Sequence, residues 1–230
     1  EEYYRAGGPQ RVTQNGIFLL APTVFEFGTP EQQAHILPRM AAGDDLWCQG
    51  WSEPNAGSDL ASLSSRATRD DARGGWVLNG QKTWTTRGAF CTHLFGLFRT
   101  DPDSERHKGL TYLLVPLDLA GVTVRGFGRL DGDEGFAEVF FEDAFLPDDA
   151  LPGGVVLGGV GEGWSVAMAT TSSERGLTLR APGRFCATAD RLVALYRDRA
   201  RGAGSDQLDP GLRDRVVQAW IQAEAYRLQT

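Results

Sequence analysis

Apolar residues recur with a helical period up to about residue 45, alternate with polar ones from 46 to about 150, and return to a helical period after Gly163. In the first region Thr29-Pro30-Glu31-Gln32 reads as a capped helix start. Threonine offers its hydroxyl to exposed amides, proline takes the first helical position where its missing N–H costs nothing, and glutamine stands third. Ile36, Leu37 and Met40 continue that helix, while 17–27 is apolar on most sides and predicts a buried helix broken or entered at Pro22. The middle region breaks into runs at 75–85, 94–98, 110–117, 122–127 and 138–145, separated by Gly, Asp or Pro clusters. Asn79-Gly80, between the alternating halves of GWVLNGQKTWT, predicts a hairpin turn. In the third region, 163–179 follows a glycine-rich loop and 182–201 carries Leu192, Val193, Leu195 and Tyr196. Asp209-Pro210 then opens a last helix through Val216, Val217, Trp220 and Ile221. Helices, then strands, then helices predict an α+β fold with a helical N-terminal part (1–45), a middle antiparallel β-barrel or sandwich (46–152) and the start of a C-terminal helical bundle (160–230). That order excludes a doubly wound sheet.

Composition narrows the function classes. The chain has 230 residues, 41% of them apolar, and a net charge of −7 with both signs interspersed. No basic stripe points to nucleic acid or to an anionic membrane surface. Cys48, Cys91 and Cys186 are odd in number and far apart, which predicts reduced thiols packed as small apolar residues in a cytoplasm. No apolar run approaches the ~18 residues of a membrane span, and EEYYRAGG lacks the basic start of an export signal. The expected location is cytoplasmic. Both EEYYRAGG and the closing AEAYRLQT read as helix, so the expectation is a piece of a longer protein.

His35, His93 and His107 fall in a helix, at a strand end and in a charged loop, so no nucleophilic triad assembles, and no metal-ligand spacing occurs. Two stretches carry more promise. In QGWSEPNAGS (49–58) a strand spills into Pro, Asn, Gly and Ser, leaving amides and hydroxyls free to meet carbonyls or phosphates. In KTWTTRGA (82–89) Trp84 and two threonines leave a strand together, as an aromatic cofactor would need. Each has a plainer reading, a surface loop for the first and a barrel-core tryptophan for the second.

Taken in order, WSEPNAGSDL, NGQKTWTTRGA, KGLTYLLVPLDLAGV, EVFFEDAFLP, and GEGWSVAM with SSERG resemble the acyl-CoA dehydrogenase family, over essentially the whole chain. The resemblance implies FAD in a groove between the β-domain and the C-terminal helices. Gln49, Gly50, Trp51 and Ser52 would run beside the flavin with Ser52 bonded to the ring, and Ser58 would border both cofactor and thioester. Trp84, Thr85 and Thr86 would form a second flavin-binding block, Trp84 packing on the ring and Thr86 donating to its polar edge. The implied reaction is α,β-dehydrogenation of an acyl-CoA, fatty or steroid side-chain, with electrons passed to an electron-transferring flavoprotein. The catalytic base would be Glu174 in SSERG or a glutamate beyond Thr230, with Arg175 shaping the substrate pocket. Family kinship also implies a homo- or hetero-oligomer, dimer or tetramer. Two alternatives share the fold: an oxygen-using flavin oxidase or hydroxylase, and a non-catalytic partner of a mixed-subunit dehydrogenase. The last is prompted by SDQLDPGLRDRVVQAW (205–220), which resembles a bacterial branch containing such partners. Asn55 stands where the family has glycine, and asparagine is expected to tolerate a positive φ there.

Overall fold

The computed structural model describes residues 2–8, 12–177, 182–203 and 209–229, which divide into two compact units: 11–174, and 1–10 with 175–230. In the first, a π-helical turn (Gly16–Leu20) feeds α2 (Ala21–Phe27) and α3 (Pro30–Ala42). The helix expected to be buried over 17–27 is buried on one side, through Leu19, Leu20 and Val24, while Ile17 and Phe25 face outward. Helix α3 starts as its sequence dictates. Thr29 Oγ1 accepts the Gln32 amide at 3.1 Å and Gln32 Oε1 accepts the Thr29 amide at 3.0 Å. The same glutamine donates to the carbonyls of Gly154 and Val156, both at 2.9 Å, so the cap also moors the loop that follows the sheet.

Seven strands follow: β1 (Trp47–Gly50), β2 (Arg66–Asp70), β3 (Gly75–Thr86), β4 (His93–Arg99), β5 (Leu110–Pro116), β6 (Val122–Phe127) and β7 (Phe136–Pro147). The sheet order is β1-β4-β2-β3-β7-β6, with β5 on the other edge of β4. Pairing is antiparallel except where β1 and β2 meet β4 in parallel. Strands β4 and β5 are apolar on both faces because both are covered. Phe95, Leu97, Leu110, Tyr112 and Leu114 pack with Leu20, Val24 and Ile36 of the helices and with Val166 and Ala167 of α4 (Gly163–Leu177). Leu94, Phe98, Leu113 and Val115 pack against Leu78, Val139, Phe141 and Leu146 of β3 and β7. The middle domain is therefore a sandwich with helices over one sheet layer.

The hairpin expected at Asn79-Gly80 is absent. Strand β3 runs straight through it, and the true β2–β3 turn lies at 71–74, with Asp70 opposite Gly75. Asn79 instead bonds sideways to Asp143, and the register slips between Leu78 and Gly80, a bulge. Gly80 has φ 139°, and a Cβ there would lie 2.4 Å from Ser65 Oγ. The glycine serves close approach of two backbones rather than reversal of the chain.

In the second unit, α5 (Pro182–Ala203) and α6 (Pro210–Gln229) meet through Cys186, Ala189 and Ala223, with α1 (Glu2–Arg5) alongside α5. Asp209 caps α6, its Oδ1 accepting the Gly211 amide at 2.9 Å. Leu192, Leu195, Val217, Trp220 and Ile221 are exposed, although their spacing marks an apolar face.

Candidate functional site

Residues from two segments line a cleft of about 160 Å³: Gln49, Trp51, Ser52, Gly57 and Leu60 from β1 and the loop after it, Thr83, Trp84 and Thr86 from the end of β3. The Thr83 amide donates to the Ser52 carbonyl at 2.9 Å and joins the two. A second bulge in β3 shapes the cleft. Lys82 pairs with Val139 and Thr85 with Ala137, so Thr83 and Trp84 together oppose Glu138. Inward-facing residues follow the sequence 76, 78, 82 and then 85, the bulge having shifted the alternation by one. Trp84, which would otherwise enter the core, turns outward at φ 55° and is 61% exposed. A left-handed non-glycine residue costs about 1–2 kcal/mol. T-shaped contacts with Phe127 and Phe136, ring centroids 5.3 and 5.4 Å away, hold the indole there.

Behind the cleft lies a buried ion pair. Lys82 Nζ donates to Glu53 Oε1 at 2.8 Å, to the Leu97 carbonyl at 2.8 Å and to the Trp51 carbonyl at 3.5 Å. Glu53 Oε2 accepts the amide and hydroxyl of Ser64 at 2.6 and 2.9 Å, and Oε1 accepts the Ser65 amide at 2.9 Å. Burial by itself pushes the Glu53 carboxyl up; the Lys82 charge and these donors outweigh it and bring it down to about 2. Burial pulls the Lys82 ammonium below its ordinary value, against the pull of Glu53. The pair ties the chain leaving β1 to β3 and so fixes both walls. The turn between them closes on itself, with the Glu53 and Ala56 backbones exchanging bonds of 2.9 and 3.1 Å. Asn55 does not adopt the positive φ anticipated for it.

No group of three or more His, Cys, Asp or Glu among the described residues is arranged to hold a metal, and no described helix is long and apolar enough to cross a membrane. The family model described as acyl-CoA dehydrogenase, middle domain, matches residues 48–144. The acyl-CoA dehydrogenase IpdE1 of Mycolicibacterium smegmatis is 45% identical over 99% of this chain and 58% of its own length. Two solved structures superpose well at 28% identity. The Tcur3481-Tcur3483 steroid ACAD has a TM-score of 0.77, covering 99% of this chain and 55% of that one. The ChsE4-ChsE5 complex from Mycobacterium tuberculosis has a TM-score of 0.75, covering 99% and 56%. The chain belongs to the acyl-CoA dehydrogenase family. It spans little more than half the length of these relatives.

Of the residues that acyl-CoA dehydrogenase resemblance singled out, Gln49, Trp51, Ser52, Trp84 and Thr86 converge on the cleft. Gly50 does not line it; a Cβ there would lie 2.6 Å from the Leu94 side chain, so strand packing already demands glycine. Thr85 is fully buried beside Gly88 and Ala137 because of the bulge, and its side chain does not reach the cleft. Ser58 is exposed next to Gly57 but is not a lining residue. Glu174 lies on the exposed side of α4, and the side chain of Arg175 lies outside the described residues. The sequence reading missed Glu53 and Lys82 as a pair. Lys82 occupies an inward position of β3, and a lysine on the apolar side of an alternating strand is the signal that a buried partner exists.

Proposed function

We propose that this chain is the central part of an FAD-dependent acyl-CoA dehydrogenase: the rear of an N-terminal helical domain, a middle domain bearing flavin and thioester, and the start of a C-terminal helical domain. The cleft carries the proposal. Its lining residues hold neutral hydrogen-bonding groups (Gln49, Ser52, Thr86) beside an aromatic surface (Trp84) and no ionisable side chain, which suits a planar ring whose polar edge gains charge on reduction. The Trp51 indole N–H is buried without a hydrogen-bond partner, as a donor awaiting an acceptor would be. Gly57 borders the same space, yet a Cβ there would meet nothing within 4 Å, so folding does not require glycine whereas a ligand against the backbone does.

Bound FAD would supply a two-electron acceptor for the hydride from the substrate β-carbon. The chain's own residues would do the rest. Ser52 and Thr86 would hold the polar edge of the ring, Trp84 its face, and Ser58 the thioester side. Glu174 would take the α-proton, with Arg175 bordering the acyl pocket. The preferred substrate class is the CoA thioester of a bulky, steroid-type acyl chain, on the likeness to the steroid ACAD. The ChsE4-ChsE5 complex supports an oligomer, homo- or heteromeric, and an electron-transferring flavoprotein would take the electrons. Anaerobic titration of the purified flavoprotein with an acyl-CoA panel should bleach the visible flavin band. Glu174→Gln should retain bound FAD and lose the bleaching; a full rate in that variant overturns the base, and a colourless wild-type protein overturns the cofactor.

A further inference from the structure

Ser52 and Trp84 belong to the two walls of the cleft, and no strand pairing sets the distance between those walls. Strand β1 pairs with β4, and β3 with β2 and β7, so β1 and β3 are not neighbours in the sheet. Two consecutive residues of β3 take the place of a ladder. Lys82 Nζ donates to the Trp51 carbonyl at 3.5 Å and to Glu53 Oε1 at 2.8 Å, and the Thr83 amide donates to the Ser52 carbonyl at 2.9 Å. Residues 51, 52 and 53 are thus each gripped from 82 and 83, with Ser52, which lines the cleft, in the middle. Lys82 is also the last regular position of β3 before the bulge that turns Trp84 outward, so one residue anchors both walls. Neither Lys82 nor Glu53 lines the cleft itself.

Stability alone does not call for this pair, since apolar side chains of similar volume are often as good or better in its place. Of the chain's 23 lysines and arginines only Lys82 and Lys108 are lysine, and Lys82 is the one fully buried cation among the described residues. Its three N–H groups meet three oxygens, of Glu53, Leu97 and Trp51, an arrangement that a planar guanidinium fork does not reproduce. Glu53 is held in turn by the Ser64 and Ser65 donors. Directional bonds on both partners fix positions, where apolar packing would fix only volume.

We infer that Lys82 and Glu53 are positioning residues for the flavin edge, acting through Ser52, whose hydroxyl they hold in register with Trp84 and Thr86 across the cleft. The inference rests on the flavin reading of that cleft. A bond to the ring's polar edge strengthens as the ring gains charge on reduction, so a displaced Ser52 weakens the hold on reduced flavin more than on oxidised flavin.

The midpoint potential of the purified flavoprotein tests this. The double variant Glu53→Gln/Lys82→Met should stay yellow and bind reduced flavin about tenfold more weakly relative to oxidised flavin, a fall of about 30 mV for a two-electron couple. Ser52→Ala should lower the wild-type potential by a similar amount and that of the double variant no further, because the pair acts through Ser52. Glu53→Asp keeps both charges and shortens the carboxylate arm by one methylene, and its potential should fall too; it decides the matter where the double variant fails to fold or loses its flavin. A wild-type potential in a yellow pair variant, or additive shifts from Ser52→Ala and the double variant, overturns the inference and leaves the flavin reading standing. A colourless wild-type protein overturns both.

Discussion

The sandwich and the α5–α6 pair spend their apolar residues in opposite ways. In the sandwich, β4 and β5 bury every large apolar side chain, one face under the helices and the other under β3 and β7. Helices α5 and α6 bury only Cys186, Ala189 and Ala223 between them, with a Phe185–Tyr226 ring contact and a Trp220–Asp190 hydrogen bond at the margin, and leave Leu192, Leu195, Val217, Trp220 and Ile221 exposed. A core of small residues contributes little, since stabilisation scales with apolar area removed from water at roughly 25 cal/mol per Å². The first unit is built to hold a site rigid; the second leaves large apolar side chains on its surface.

The sharpest way to break that contrast is to attack the sandwich where it departs from apolar packing. Glu53→Gln leaves the Lys82 ammonium buried among neutral oxygens with no counter-charge, and Lys82→Met leaves the Glu53 carboxylate with only its serine donors. Either change should destabilise by about 3–5 kcal/mol in urea unfolding, and the double variant should cost less than the sum, because a buried pair replaced whole leaves no uncompensated charge. Additive losses would show that the two groups act apart.

A smaller effect follows from acid. The Glu53 carboxyl ionises at about 2 in the folded chain against an ordinary 4.5, so the unfolded chain binds the proton first. Its contribution is complete above 4.5 and is lost as pH falls from there towards 2. Asp45, held down by its hydrogen bond to Arg39, and Asp148, held down by its hydrogen bond to Arg69, titrate in the same direction. The test is therefore a difference: the double variant should show a shallower acid slope than wild type, and equal slopes would remove Glu53 from the acid response.

What the sequence made legible follows the same division. Strands β4 and β5 stand out because burial on both faces leaves unbroken runs such as HLFGLF and LTYLLV. The cap of α3 was readable because its partners are three residues apart. Asn79-Gly80 misled because the dipeptide that suits a tight turn also suits a bulge, and only Ser65, remote in sequence, decides between them. The same limit hid the outward turn of Trp84: counted by twos from Trp76 it belongs in the core, and the register slip against Val139 and Ala137 reverses it and buries Thr85 instead. The parallel pairing of β1 with β4 joins segments whose contacts no local pattern records. Of the site, the two cleft walls were visible as motifs, while the Glu53–Lys82 pair was not, because its members sit in different motifs.

Thr29→Ala should cost about 1 kcal/mol, the usual worth of an N-cap hydroxyl, since the Gln32 amide then loses its acceptor at the sandwich's helical cover. The smallest change is expected in the other unit. Leu195 sits in the middle of α5, where a buried leucine cut to alanine would lose about 2–5 kcal/mol. At 60% exposure it has little to lose, and both residues favour helix, so Leu195→Ala should shift stability by no more than about 0.5 kcal/mol. A loss of several kcal/mol, measured on dilute protein to exclude self-association, would mean that the face is already covered in solution. The contrast between the two units would then lie in what each packs against rather than in how much each buries.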